Sequence, residues 1–112
     1  RRSYIVGSAV VPVRSLGDEI RMVYPNPSGG GVSVAFEMRE EGEVEFEVYD
    51  VAGRKVRAVA LGRKSRGVYE GERAFDWNAR NGDGERVPAG VYMMRMVVGG
   101  EPVDSAKAVL LP

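Results

Sequence analysis

The side chains of this chain that could do acid, base or ligand chemistry are oxygen donors and cations only, because its 112 residues include no cysteine and no histidine. Thiolate and imidazole are the ligands of structural zinc and of most iron and copper sites, so only hard cations held by oxygen suit this composition. Nucleophile–base pairs built on Cys or His are excluded in the same way. Two groupings of oxygen donors remain. Asp76, Asn78, Asn81, Asp83 and Glu85 have the make-up of a calcium loop but not the spacing of an EF-hand, and Arg80 and Arg86 dilute their negative field. A Gly-Asp turn that hydrogen-bonds to itself is the simpler reading. Glu40 and Glu41, with Glu43, Glu45 and Glu47, could meet by chance the roughly 5–9.5 Å separation that glycosidase carboxylates need. Nothing in the sequence supplies a pocket around them. No enzymatic activity and no cofactor are expected.

Net charge narrows the partners. Sixteen acidic and sixteen basic side chains cancel, and the pI is about 6.5, which removes the counterion release that drives generic nucleic-acid binding and the attraction to anionic lipid. Nucleic acid is not an expected partner. No run approaches the roughly 20 apolar residues of a membrane span, and Arg1-Arg2 is not followed by the apolar stretch of a signal peptide. The start without Met reads as a processed or excised piece, whose upstream sequence would carry any export signal.

The elements that must position these groups are strands. Valine occurs 19 times against 4 leucines, with 15 Gly and 6 Pro, and β-branched side chains suit a pleated surface while Gly and Pro interrupt helices. In residues 31–38, Val32, Val34, Phe36 and Met38 alternate with Ser33, Ala35 and Glu37, the period of a strand. In residues 43–50, Val44, Phe46 and Val48 alternate with Glu43, Glu45 and Glu47. A one-residue slip there would bury three carboxylates, so the register is strongly set. Asp50-Val51-Ala52-Gly53 supplies a turn, Gly53 being able to take a positive φ, and residues 55–61 return as the next strand of a hairpin. Further strands are expected over residues 20–24, ending at Pro25, and over 69–77, 90–98 and 103–111. Residues 3–13 could add one more. Seven strands at roughly ten-residue spacing predict an all-β, antiparallel two-sheet sandwich. Residues 20–112 form that domain, and residues 1–19 are an N-terminal strand or a linker from a preceding region.

Charge blocks add pairing information. Residues 37–50 carry seven acids and one base, and residues 51–69 carry six bases and no acid. An antiparallel hairpin sets the two signs opposite each other, each exposed pair contributing up to about 1 kcal/mol.

Three motifs, in order and at suitable spacing, resemble a known family: Tyr24-Pro25-Asn26-Pro27, Val48-Tyr49-Asp50-Val51-Ala52-Gly53-Arg54, and the run from Trp77-Asn78-Ala79-Arg80-Asn81-Gly82-Asp83-Gly84 through Pro88-Ala89-Gly90-Val91-Tyr92. Together they are similar to the immunoglobulin-like domain of the flagellar hook-capping protein and its relatives, the C-terminal sorting domains of type IX secretion cargo. The resemblance covers about residues 20–112. It implies an immunoglobulin-like sandwich that is a non-catalytic C-terminal accessory domain of an exported bacterial protein, recognised by secretion machinery and located outside the cell, at its surface or in the periplasm or outer membrane. Lys107 fits the Lys-bearing last strand of sorting domains; the terminal Pro112 departs from their usual basic end, and Ser28-Gly29-Gly30-Gly31, read as a flexible turn, replaces a second Asn-Pro anchor.

On physical grounds the expected recognition elements are Lys107, Ala108, Val109, Leu110 and Leu111, with the turns around Gly53 and Gly84. The expected scaffold residues are Pro25, Pro27, Phe46, Asp50, Gly53, Trp77, Gly84, Pro88, Gly90 and Tyr92. Pro25 and Pro27 hold the lead-in extended, and Trp77, burying about 200 Å², anchors the core. Two other classes compete. Tyr49, Tyr69, Tyr92 and Trp77 could build an aromatic platform for carbohydrate, and an exposed edge strand or the apolar N-terminal segment could make the chain a structural subunit of an extracellular or envelope assembly.

Overall fold

The computed structural model describes residues 17–112, together with the backbone of Ser3–Val6 and Ala9–Pro12. Ten strands follow in chain order: β1 Ser3–Val6, β2 Ala9–Pro12, β3 Glu19–Tyr24, β4 Val32–Met38, β5 Gly42–Tyr49, β6 Lys55–Lys64, β7 Gly67–Tyr69, β8 Phe75–Trp77, β9 Gly90–Val98 and β10 Glu101–Leu110. The single N-terminal strand expected over residues 3–13 is instead two, β1 pairing antiparallel with β2. The remaining eight make two antiparallel sheets. One has the order β10-β9-β5-β6, and in the other β4 is flanked by β3 on one side and by β7 and β8 on the other. This is the expected all-β sandwich.

Alternation decides which side chains meet between the sheets. Val32, Val34, Phe36 and Met38 of β4 face Val44, Phe46 and Val48 of β5 and Met94 and Met96 of β9, and all of them are buried. Each such apolar side chain contributes about 1.5–3 kcal/mol on leaving water. Phe46 links the layers: its ring lies 5.3 Å from Phe36, edge-on, and 4.8 Å from Phe75, stacked, while Phe36 stacks on Tyr69 at 4.9 Å. Trp77 is 2% exposed and meets Tyr92 edge-on at 5.5 Å. Polar tips of the buried aromatics are satisfied, the Trp77 indole N–H donating to the Arg80 carbonyl at 2.9 Å and the Tyr92 hydroxyl to the Pro88 carbonyl at 2.6 Å. The second bond is the tyrosine corner of immunoglobulin-like sandwiches.

One expected strand is broken. Along β4 the pairing advances two residues, from Phe36 to Val34, while its partner advances six, from Tyr69 to Phe75. The excess is taken up by a single 3₁₀ turn at Gly71–Arg73, where Glu70-Gly71-Glu72-Arg73 offers no alternating apolar residue to hold a strand. β7 and β8 are thus two pieces of one strand position, which keeps the count at seven positions.

The stretch read as a flexible turn is tied down. Ser28 is 2% exposed; its hydroxyl donates to the Gly31 carbonyl at 2.7 Å and accepts from the Gly30 N–H at 3.0 Å. Gly31 lies so close to β8 that a Cβ would sit 2.5 Å from the Trp77 carbonyl oxygen, whereas Gly29 and Gly30 face open space. Three adjacent glycines therefore differ in what they tolerate. Gly31→Ala should cost about 1–3 kcal/mol through forced backbone displacement, and Gly29→Ala less than about 0.5 kcal/mol, both read from urea unfolding followed by Trp77 fluorescence. In the same assay Phe46→Ala should cost about 3–5 kcal/mol.

Candidate interaction surfaces

The last strand is built into both the core and the rim. Ala108 and Leu110 point inward and are buried, while Lys107 and Leu111 are exposed and Val109 is half-buried. Of the five residues expected to meet a partner, two therefore pack inside the sandwich, and Lys107, Val109 and Leu111 carry what surface there is. The backbone of this stretch is occupied as well. Ser28 makes a parallel bridge to Leu110, its N–H donating to the Val109 carbonyl at 2.8 Å and its carbonyl accepting from Leu111 at 2.7 Å.

Two residues earlier, the Asn26 side chain repeats that pattern. Its Nδ2 donates to the Lys107 carbonyl and its Oδ1 accepts from the Val109 N–H, each at 2.9 Å. A primary amide carries a donor and an acceptor like a peptide group. Placed between Pro25 and Pro27, which have no N–H to give, it continues the ladder that the prolines cannot. The lead-in bends over residues 25–27, where Pro25 and Pro27 were expected to hold it extended; both X–Pro bonds are cis. Asn26 and Ser28 escaped the sequence reading; the available signal was an amide side chain flanked by two residues lacking N–H.

The turns around Gly53 and Gly84 share one geometry. In Asp50-Val51-Ala52-Gly53-Arg54, Asp50 Oδ1 accepts from the N–H groups of Ala52 and Arg54, Gly53 donates to the Asp50 carbonyl, and Asp50 donates to the Arg54 carbonyl. In Asn81-Gly82-Asp83-Gly84-Glu85, Asn81 Oδ1 accepts from Asp83 and Glu85, Gly84 donates to the Asn81 carbonyl, and Asn81 donates to the Glu85 carbonyl. Gly53 and Gly84 both have φ of +83°, which an L side chain rarely adopts. The second loop is tied to β6 just beyond the first, by a 3.1 Å bond from the Gly82 N–H to the Val56 carbonyl. They border an open cleft of about 950 Å³ whose walls include Arg54, Lys55, Asp83, Arg86, Pro88 and Tyr92. Asn78 Oδ1 likewise accepts from the Arg80 N–H, and Asp76 takes the Ser33 hydroxyl at 2.6 Å. Among the described residues no three acidic groups converge as a cation site.

The carbohydrate platform does not assemble. Trp77, Tyr92 and Tyr69 are 2%, 5% and 7% exposed, so their faces are spent on the core. Tyr49 alone lies toward the outside, among charges rather than other aromatics. Glu47, opposite Arg95 on β9, receives the Arg95 guanidinium at 3.1 Å, the Lys55 ammonium at 2.9 Å and the Tyr49 hydroxyl at 2.9 Å. Arg63 pairs with Glu41 at 2.7 Å and sits opposite Glu43. Acidic and basic blocks thus meet across β5 and β6 as expected, and Arg95 from β9 is an added partner that the block pattern did not indicate. Burial works against the charge on Glu47, but hydrogen bonds from Lys55, Tyr49 and Arg95 outweigh it and hold its carboxyl below the usual carboxylate range. The Arg54 backbone N–H, and then its guanidinium, do the same for Asp50.

A model of the FlgD Ig-like domain matches residues 21–101. The chain belongs to the FlgD Ig-like domain family. This family is one of non-catalytic structural domains. Latent dimeric PorU from Porphyromonas gingivalis superposes with a TM-score of 0.69 at 18% identity, over 84% of this chain and 9% of that one. FLGD from P. aeruginosa gives 0.54 at 20% identity, over 70% of this chain and 59% of that one. The alkylpurine DNA glycosylase AlkC of Pseudomonas fluorescens, bound to DNA containing an abasic site analogue, gives 0.52 at 17% identity, over 85% of this chain and 30% of that one. At these identities the likeness is one of fold, and this FlgD Ig-like chain spans less than two thirds of each of the three. No curated protein matches it. Among the described residues no helix is long and apolar enough to cross a membrane.

Two measurements check the local chemistry. Asn26→Ala removes both the donor to the Lys107 carbonyl and the acceptor of the Val109 N–H; it should cost about 1–3 kcal/mol and speed hydrogen exchange at the Val109 amide, with exchange unchanged at that position in Asn78→Ala. The Glu47 and Asp50 carboxyls ionise more readily folded than unfolded, so their stabilisation is complete above unfolded-state values of about 4 and is lost as pH falls through the lower folded values. The unfolding free energy should drop on acidification from about pH 4.5 to 2, and less steeply in Glu47→Gln.

Proposed function

We propose that this domain is the accessory, non-catalytic part of an exported bacterial protein, presented folded to a type IX secretion or envelope-assembly apparatus and recognised through its rim. The observation that carries this reading is membership of the FlgD Ig-like family. Support comes from the likeness in fold to a segment of PorU. The sandwich keeps its large aromatics inside, so recognition falls to the exposed side chains of the last strand, Lys107, Val109 and Leu111, and to the paired loops around Gly53 and Gly84. A location at the cell surface, in the periplasm or outside the cell goes with that role. The alternative of a structural subunit in an envelope assembly rests on the resemblance to the flagellar hook-capping protein.

The test is export of a reporter that carries an N-terminal export signal and is fused to the full 112-residue chain, in a bacterium with type IX secretion. Deleting the last strand would remove the buried Ala108 and Leu110 and unfold the domain, so the informative variant is Lys107→Glu with Leu111→Ser, confined to exposed positions. The unmodified fusion should leave the cell, and the variant, unchanged in thermal unfolding, should be retained. Retention of the unmodified folded fusion overturns the secretion reading; recovery of the chain at fixed stoichiometry in an isolated envelope complex favours the subunit reading.

A further inference from the structure

Each sheet has two edges, and they are treated differently. The outer edge of β10 is taken by Asn26 and Ser28. On β3 the Ile20 N–H donates to the Asp104 carboxylate at 2.8 Å. β7 and β8 are three residues each. β6 is ten residues long, pairs with β5 on one side only, and beyond the Gly82 bond to the Val56 carbonyl has no backbone partner among the described residues on its other side. Alternate peptide groups along residues 57–64 therefore face outward with donors and acceptors unused among the described residues, the arrangement that accepts an added strand.

The side chains along that edge specify what could add. Arg57, Val59, Gly62 and Lys64 stand opposite Val48, Phe46, Val44 and Gly42, so they share the inward side at the lip of the sandwich. Leu61, at the bulge, packs on the core with Val59. Beside them runs a groove of about 430 Å³, bounded by Arg57 and Val59 on β6 and by Val32, Ser33, Asp76 and Trp77 across it. Asp76 on the far wall is engaged with Ser33. Arg57 makes one 3.4 Å contact with the Arg80 carbonyl, and the Lys64 ammonium sits 5.9 Å over the Tyr69 ring. Neither has a carboxylate partner among the described residues, and β6 itself contains no acid. The pattern along the lip is cation, apolar, apolar, cation. A second copy pairing antiparallel through the full length of β6 would set Lys55 opposite Lys64 at both ends of the ladder, and like charges facing each other across a ladder are destabilising.

We propose that the outer edge of β6 receives an extended segment of a partner protein by strand addition, with acidic residues toward Arg57 and Lys64 and apolar residues between them over Val59 and Leu61. The site lies at the end of its sheet opposite β10, so it stands independently of recognition through the last strand.

The probe is the capped peptide acetyl-Glu-Thr-Val-Thr-Val-Thr-Glu-amide, titrated into the isotope-labelled full chain and followed by amide chemical shifts and hydrogen exchange. Saturable shifts confined to residues 57–64, with slowed exchange there, are expected. Affinity should fall about tenfold in Arg57→Glu and in Lys64→Glu, as for loss of one charge pair at an interface, and vanish when the peptide's glutamates become lysines. The two variants are separate because half-buried Arg57 is the riskier change; Lys64→Glu alone suffices if the first unfolds. Absence of saturable shifts up to about 1 mM peptide, shifts mapping to β3 or to the paired loops, or a dimer with β6 amides already protected before peptide is added would each overturn the proposal.

Discussion

One dry layer, filled from both sides by side chains that alternate along their strands, is the constraint from which the rest of this domain follows. Phe46 is its centre, since it touches Phe36 and Phe75 of the facing sheet while its sequence neighbours Glu45 and Glu47 are forced outward. Moving β5 by one residue would exchange Val44, Phe46 and Val48 for three carboxylates, a cost of many kcal/mol against a total stability of about 5–15 kcal/mol. Only one register is open to β5, and β6 and β9 inherit theirs from it. The charge pairs of Glu47 with Lys55 and Arg95 then form where the register places them; they decorate a pairing already decided by burial.

Much of this was legible because period-two alternation is a property of sequence alone. Val32 to Met38 and Val44 to Val48 announce their faces, and Gly53 and Gly84 announce turns that the structure realises in the same five-residue form. Signals carried by a single residue against a distant partner were not legible. Nothing local to Asn26 says that residues 107 and 109 will need an amide, since 81 residues separate Asn26 from Lys107. The break between β7 and β8 escaped because Tyr69, Phe75 and Trp77 all point inward, which a continuous strand would also satisfy; the excess of residues shows only when β4 is laid beside them. Aromatic residues mislead in the other direction. Tyr69, Trp77 and Tyr92 could have been surface or core by type, and the ring contacts and hydroxyl partners that put them inside are tertiary facts.

Candidate surfaces were the least legible part, for a related reason. A strand at a sheet edge has the same alternation as a strand in the middle, so the sequence does not distinguish β10, whose edge is covered, from β6, whose edge is open among the described residues. Ala108 and Leu110 belong to the stretch expected to meet a partner, yet their alternation with Lys107, Val109 and Leu111 already implied that half of it would face inward. The residues proposed for recognition and those that pack share one strand, and a substitution there reports on both unless it is confined to the outward residues.

The clasp of Asn26 and Ser28 on the last strand has a mechanical consequence. Four bonds join residues 26 and 28 to residues 107, 109 and 111 in parallel orientation, so a pull applied through the chain before Asn26 and after Leu111 drags the two segments past each other lengthwise. Such a load is shared among all four at once instead of breaking them in succession as a zipper would. Once β3 has been stripped from β4, tension therefore falls on this clasp between the first loop and the last strand.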